Sequence, residues 1–123
     1  MSVRKEIETQ LKADWADIAE LAGVRVIATE RELDDITVPT ALIRGKSFAL
    51  TPQAPLSHRN VGLLVTLISP HLDLDRAGDQ LDDIVTATLD YLDARYSHDD
   101  ATAVGYGARL AYDIPFTVIA SKE

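Results

Sequence analysis

The sequence predicts an α+β fold, a four- or five-stranded mainly antiparallel sheet with two helices packed on it, in the order α-β-β-β-α-β. Three observations carry this. Residues 3–22 and 75–95 place apolar side chains at spacings of three and four, the signature of a helix with one buried face. Residues 40–50, 59–69 and 104–120 alternate with a period of two, as strands do. Gly23, Pro39, Pro52, Pro55 and Pro70 punctuate the joins. At 123 residues the chain reads as one domain, 1–123, large enough to bury a core without staples.

In the first helix Val3, Ile7, Leu11, Trp15, Ile18, Leu21 and Ala22 form the apolar stripe. Ser2 is placed to cap its start, and Gly23 stands where a left-handed residue closes a helix. Glu8 and Lys12 make an i, i+4 pair expected on the outer face. Residues 24–28 are a short β-branched strand, and the acidic stretch 30–38 reads as a loop. Strand 40–50 separates its two faces poorly, which suggests a place near the sheet edge.

Thr51, Pro52, Gln53, Ala54, Pro55, Leu56, Ser57 and His58 form a loop longer than a tight hairpin needs. Strand 59–69 follows, with Val61, Leu63, Val65 and Leu67 on one face and Gly62, Leu64, Thr66 and Ile68 on the other. Apolar character on both faces marks a central strand covered on both sides, by a helix on each face or by a neighbouring subunit. Asp73 or Asp75 can cap the second helix, whose stripe is Ala77, Leu81, Ile84, Val85, Thr88, Leu89 and Leu92. Asp79, Asp82, Asp83, Asp90 and Asp93 lie off that stripe, and Arg95 is placed in the last turn, complementing the helix dipole.

The last segment, 104–120, is long for a strand. Its even positions, including Val104, Tyr106, Leu110, Tyr112, Ile114 and Phe116, predict one continuous core face. Gly105 and Gly107 imply a bend or a split into two strands. Pro115, which has no N–H to give, implies an edge, a bulge or a bend.

Charge and composition exclude several classes of function. The net charge is −8 and the twelve basic residues are scattered, which argues against gripping nucleic acid. No cysteine is present, so thiol chemistry and cysteine zinc sites are excluded. No apolar run precedes a cleavage-like site, so no signal peptide is expected, and the run 61–68 is too short to span a bilayer. Residues 73–79 echo a calcium loop, but Ala77 and Ile84 occupy ligand positions of that motif. His71 beside Asp73, and His98 beside Asp99 and Asp100, could orient a base or ligate a metal, yet both sit in expected turns. His58 stands alone. No catalytic residue, metal or cofactor is nominated.

In this order and style of elements the chain resembles the tail-terminator proteins of long-tailed bacteriophages, particularly those of actinobacteria. The likeness covers the helix 3–22 running into strand 24–28, the proline-preceded strand 40–50, the loop and apolar strand 59–69, the acidic helix 75–95, and the tyrosine-bearing run Tyr106-Gly107-Ala108-Arg109-Leu110-Ala111-Tyr112 continuing to 120. The resemblance implies a homo-oligomeric ring, typically a hexamer, at the head–tail interface of the virion, assembled in the host cytoplasm. Such a ring caps the tail tube, ends its polymerisation and joins it to the head connector or stopper, letting DNA pass without specific binding. It implies no enzymatic activity, no cofactor and no membrane. On that reading the loop 51–58 is a candidate contact with another subunit or the tube. Asp79, Asp82, Asp83, Asp90 and Asp93, or else Glu30, Glu32, Asp34 and Asp35, are candidates for an acidic channel surface. The alternatives are another small connector or neck protein of the same particle, or a small cytoplasmic binding domain or enzyme with an acidic site.

Overall fold

The computed structural model describes residues 3–29, 33, 36–49 and 58–121. The elements are α1 (Val3–Trp15), β1 (Arg25–Ala28), β2 (Thr40–Ala49), β3 (His58–Ile68), α2 (Leu74–Asp93), β4 (Ser97–His98), β5 (Thr102–Tyr106) and β6 (Arg109–Ser121). They build an α+β fold on one mixed six-stranded sheet. The strands run β1-β2-β3-β6, and β4 and β5 share the far side of β6. Among the described residues only β1 and β2 pair in parallel; every other described pair is antiparallel.

Both helices pack on the same sheet face. Ile7, Leu11 and Trp15 of α1 and Leu81, Ile84, Val85 and Leu92 of α2 meet Val61, Leu63, Val65, Leu67, Ile114 and Phe116 of the sheet in one core. The expected α2 stripe is buried as read from the sequence, with Tyr91 added and Leu89 only half-buried. The opposite face is covered at one end by the β1–β2 connection, where Ile36 and Leu33 lie against Leu42, Ile68 and Ala111. The Leu33 N–H donates to the Tyr106 hydroxyl at 2.5 Å, tying this connection to β5. The two-sided burial expected for β3 thus comes from two helices on one face and a crossing loop on the other, not from a helix on each.

Several expectations change for identifiable reasons. Helix α1 stops at Trp15, not at residue 22. Residues 16–23 form successive tight turns, Ile18 N–H to Trp15 O at 3.1 Å and Leu21 N–H to Ile18 O at 3.0 Å, which steer Leu21 into the core. Gly23 is not left-handed; among the described residues only Gly107 has a positive φ. Glu8 does not face outward, because its carboxylate takes the Ala28 N–H at 2.6 Å while Lys12 stands 3.9 Å away. Arg95 lies past the end of α2, whose C-cap is Ala94. Ser2 lies outside the described residues.

Strand β2 is an interior strand between β1 and β3, and β1 is the edge. Its faces look mixed for two reasons. Ala41, Leu42 and Ile43 are all buried, and the register with β3 shifts between Gly45 and Ser47, which interrupts the strand's period of two.

The last segment is a hairpin, the split into two strands that Gly105 and Gly107 imply. Gly107 at φ +60° and Ala108 close a two-residue turn between Tyr106 and Arg109, the arrangement of a type II′ turn. A two-residue turn pairs even positions with odd ones: Val104 faces Ala111, and Tyr106 faces Arg109. The even positions of β5 therefore sit on the face opposite the even positions of β6, and the single core face expected for 104–120 does not exist. Pro115 is in an interior strand, but its C=O accepts from Asp99 N–H at 2.9 Å, so its backbone points away from β3. There it falls between the pairing of β5, which ends at Asp113, and that of β4, which starts at Phe116. The missing N–H costs no bond to β3.

Candidate functional site

Helix α2 begins where Asp73 caps it, its Oδ1 accepting from Asp75 N–H at 2.9 Å and Arg76 N–H at 3.3 Å. This fixes the phase of the helix, and burial of the stripe leaves Asp79, Asp82, Asp83, Asp90 and Asp93 all exposed. Four of them face solvent with no side-chain hydrogen bond among the described residues, while Asp93 binds His98. The candidate acids Glu30, Glu32, Asp34 and Asp35 lie outside the described residues. So do Thr51, Pro52, Gln53, Ala54, Pro55, Leu56 and Ser57. The eighth residue of that loop, His58, instead opens β3, its Cα opposite Ser121.

Between α2 and the turns after α1 lies an open cleft of about 440 Å³. Ile18, Ala87 and Tyr91 give it an apolar floor, and Glu20, Asp83 and Asp90 supply its charge. The sequence does not reveal this cleft, because residues 16–22 continue the helical spacing of apolar side chains; the turns are what bring Ile18 and Glu20 beside α2. At its end the Tyr91 hydroxyl donates to Asp14 Oδ2 at 2.5 Å, and Arg95 lies 4.7 Å from the centre of the Tyr91 ring and 3.9 Å from Asp14. Burial of the Tyr91 hydroxyl, with the hydrogen bond to Asp14, pushes its pKa well above the ordinary tyrosine range.

His98 on β4 is held at both ring nitrogens, Nδ1 by the Asp99 carbonyl at 2.9 Å and Nε2 by Asp93 Oδ1 at 2.5 Å. Two acceptors on one imidazole favour two N–H groups, and the Asp99 carbonyl and then the Asp93 carboxylate raise its pKa. No ring nitrogen is left to take a substrate proton, so the pair acts as a clasp between α2 and β4. On the second sheet face Arg44 Nη2 donates to Thr66 Oγ1 at 2.6 Å, which donates to Asp113 Oδ1 at 2.6 Å, a relay across β2, β3 and β6. Among the described residues no three His, Asp or Glu side chains converge as metal ligands, and no helix is long and apolar enough to cross a membrane.

Comparison with known protein families finds no family that matches this chain, and comparison with curated proteins finds no significant match. Among the described residues the surface offers exposed carboxylates on α2 and a cleft rimmed by Glu20, Asp83 and Asp90.

Proposed function

We propose that this chain is a structural subunit of a phage tail-terminator ring, which caps the completed tail tube, ends its growth and joins it to the head connector. The observation that carries the reading is the sheet end reached by β2, β3 and β6, where Ala49 pairs with Asn60 and His58 with Ser121. Three strands in register form a stiff base there, and the connection 50–57 joins two of them, so a contact with the tube made at that point would be held by the sheet. The exposed acids of α2 suit a conduit through which DNA slides, since a negative wall repels phosphates and a basic one would hold them. The element order and length shared with tail terminators supply the rest of the argument.

The test is tube growth. Purified chain added to polymerising tail tubes should narrow their length distribution and place a closed ring of density at one tube end. A variant with residues 51–58 replaced by Asn-Gly should fold but leave tubes growing. Tubes of unchanged length with bare ends in the presence of the wild-type chain would overturn the reading.

A further inference from the structure

The two edges of the sheet are treated differently. On β1, the Val24 N–H is taken by Leu21 O at 3.0 Å, and Ala28 has its N–H bound by Glu8 at 2.6 Å and its C=O by Lys5 Nζ at 3.4 Å. Side chains of α1 thus occupy the Ala28 end of that edge. On β5, the turn-closing pair Tyr106–Arg109 is hydrogen-bonded inward, as are Val104–Ala111 and Thr102–Asp113 by alternation. Ser69 N–H bonding Leu110 O at 3.3 Å agrees, because it turns Leu110 towards β3 and away from Gly105. The N–H and C=O groups of Ala103 and Gly105 therefore point out of the sheet, and no described residue takes them. Both residues are exposed, and β5 carries no charge, proline or bulge, the devices that block pairing at an edge.

We propose that β5 pairs with β5 of a second copy, antiparallel and centred on Val104. In that register Ala103 and Gly105 of each copy exchange N–H···O=C bonds with Gly105 and Ala103 of the other, using every outward group of the two residues. Val104 meets Val104 of the second copy, and Thr102 meets Tyr106. The charges agree with this occupant. Asp100 lies two residues before Thr102 and Arg109 pairs with Tyr106, so antiparallel pairing sets the acidic end of one strand beside the arginine of the other. Arg109 Nε is buried with no hydrogen-bond partner among the described residues. The contact is isologous, the same patch on both copies, and so is separate from the heterologous contacts a cyclic ring requires; it does not rest on the ring reading.

Hydrogen exchange and sedimentation of the full chain from about 1 µM to 1 mM test it. The expected result is a concentration-dependent dimer in which the Ala103 and Gly105 amides slow at least tenfold as it forms. Ala103→Pro removes only an outward N–H and should weaken the dimer about tenfold or more, from two lost bonds. Arg109→Glu should weaken it about two- to fivefold, and Asp100→Arg added to it should restore it. If Ala103→Pro disturbs the hairpin, the wild-type exchange result decides alone. A chain that stays monomeric throughout, a dimer whose Ala103 and Gly105 amides exchange as in the monomer, or protection that needs a different protein would each overturn the proposal.

Discussion

The Tyr91 hydroxyl donates to Asp14 Oδ2 across 2.5 Å, joining the last turn of α1 to the last turns of α2. Trp15, next to Asp14, meets the Tyr91 ring edge-on at 6.1 Å between centroids, so one tyrosine supplies both a polar and an apolar link between the two helices, the bonded residues lying 77 apart in sequence. A hydrogen bond to a charged acceptor contributes about 1.5–3 kcal/mol. Tyr91→Phe should lower the unfolding free energy in urea by about that amount, and adding Asp14→Asn should cost little more. Independent, additive losses would show that the two groups are not coupled.

Trp15 and Phe116 are 1 % and 2 % exposed and anchor the helix layer and the sheet respectively. Either, truncated to alanine, should cost about 3–5 kcal/mol by chemical denaturation, a large share of the roughly 5–15 kcal/mol available to a domain. Losses below about 1 kcal/mol for both would contradict the packing described.

The His98 clasp predicts a pH dependence of definite sign. The folded-state pKa is raised above the ordinary histidine value, so the protonated ring stabilises the fold. That contribution is complete below about pH 6.5, the unfolded value, and is lost as pH rises through the higher folded value. His98→Gln should flatten the stability profile in that window. A wild-type stability that rises across it for reasons traced to His98 would reverse the assignment.

Gly107 holds φ +60°, a conformation that costs a residue with a Cβ about 1–2 kcal/mol. Gly107→Ala should destabilise by about that much in thermal or urea unfolding, and Gly107→Asn by less. At Gly105 a Cβ would meet only the Gly107 carbonyl oxygen, at 4.0 Å, so Gly105→Ala should change stability by under about 0.5 kcal/mol. Equal costs at the two positions would place the turn elsewhere.

Reversal of Asp79, Asp82 and Asp83 to lysine tests the proposed channel wall. These exposed residues carry no core contact, so the chain should fold and particles should assemble. Ejection of DNA should slow, and more so at low salt, where lysine–phosphate attraction is strongest. Unchanged ejection at low and high salt would remove these three residues from the DNA path.

The sequence by itself determined the fold class, the element order, the α2 stripe with its exposed acids, an aspartate cap at Asp73 or Asp75, between which the structure chose Asp73, and the burial of Trp15. Each follows from a local periodicity or a neighbour-to-neighbour hydrogen bond, which a single segment carries within itself. Tertiary structure decided how segments are phased against each other. Both faces of Thr40–Ile43 are buried by layers that lie far off in sequence, so β2 looked like an edge. A two-residue turn at Gly107 exchanged the faces of β5 and β6, although the alternation ran through it unbroken. The early end of α1 created the cleft beside Tyr91, and the Asp14–Tyr91 bond spans a separation no local pattern encodes. Side-chain period reports which residues share a face within one strand; only the turn, the bulge and the neighbouring layer determine which face of the molecule that is.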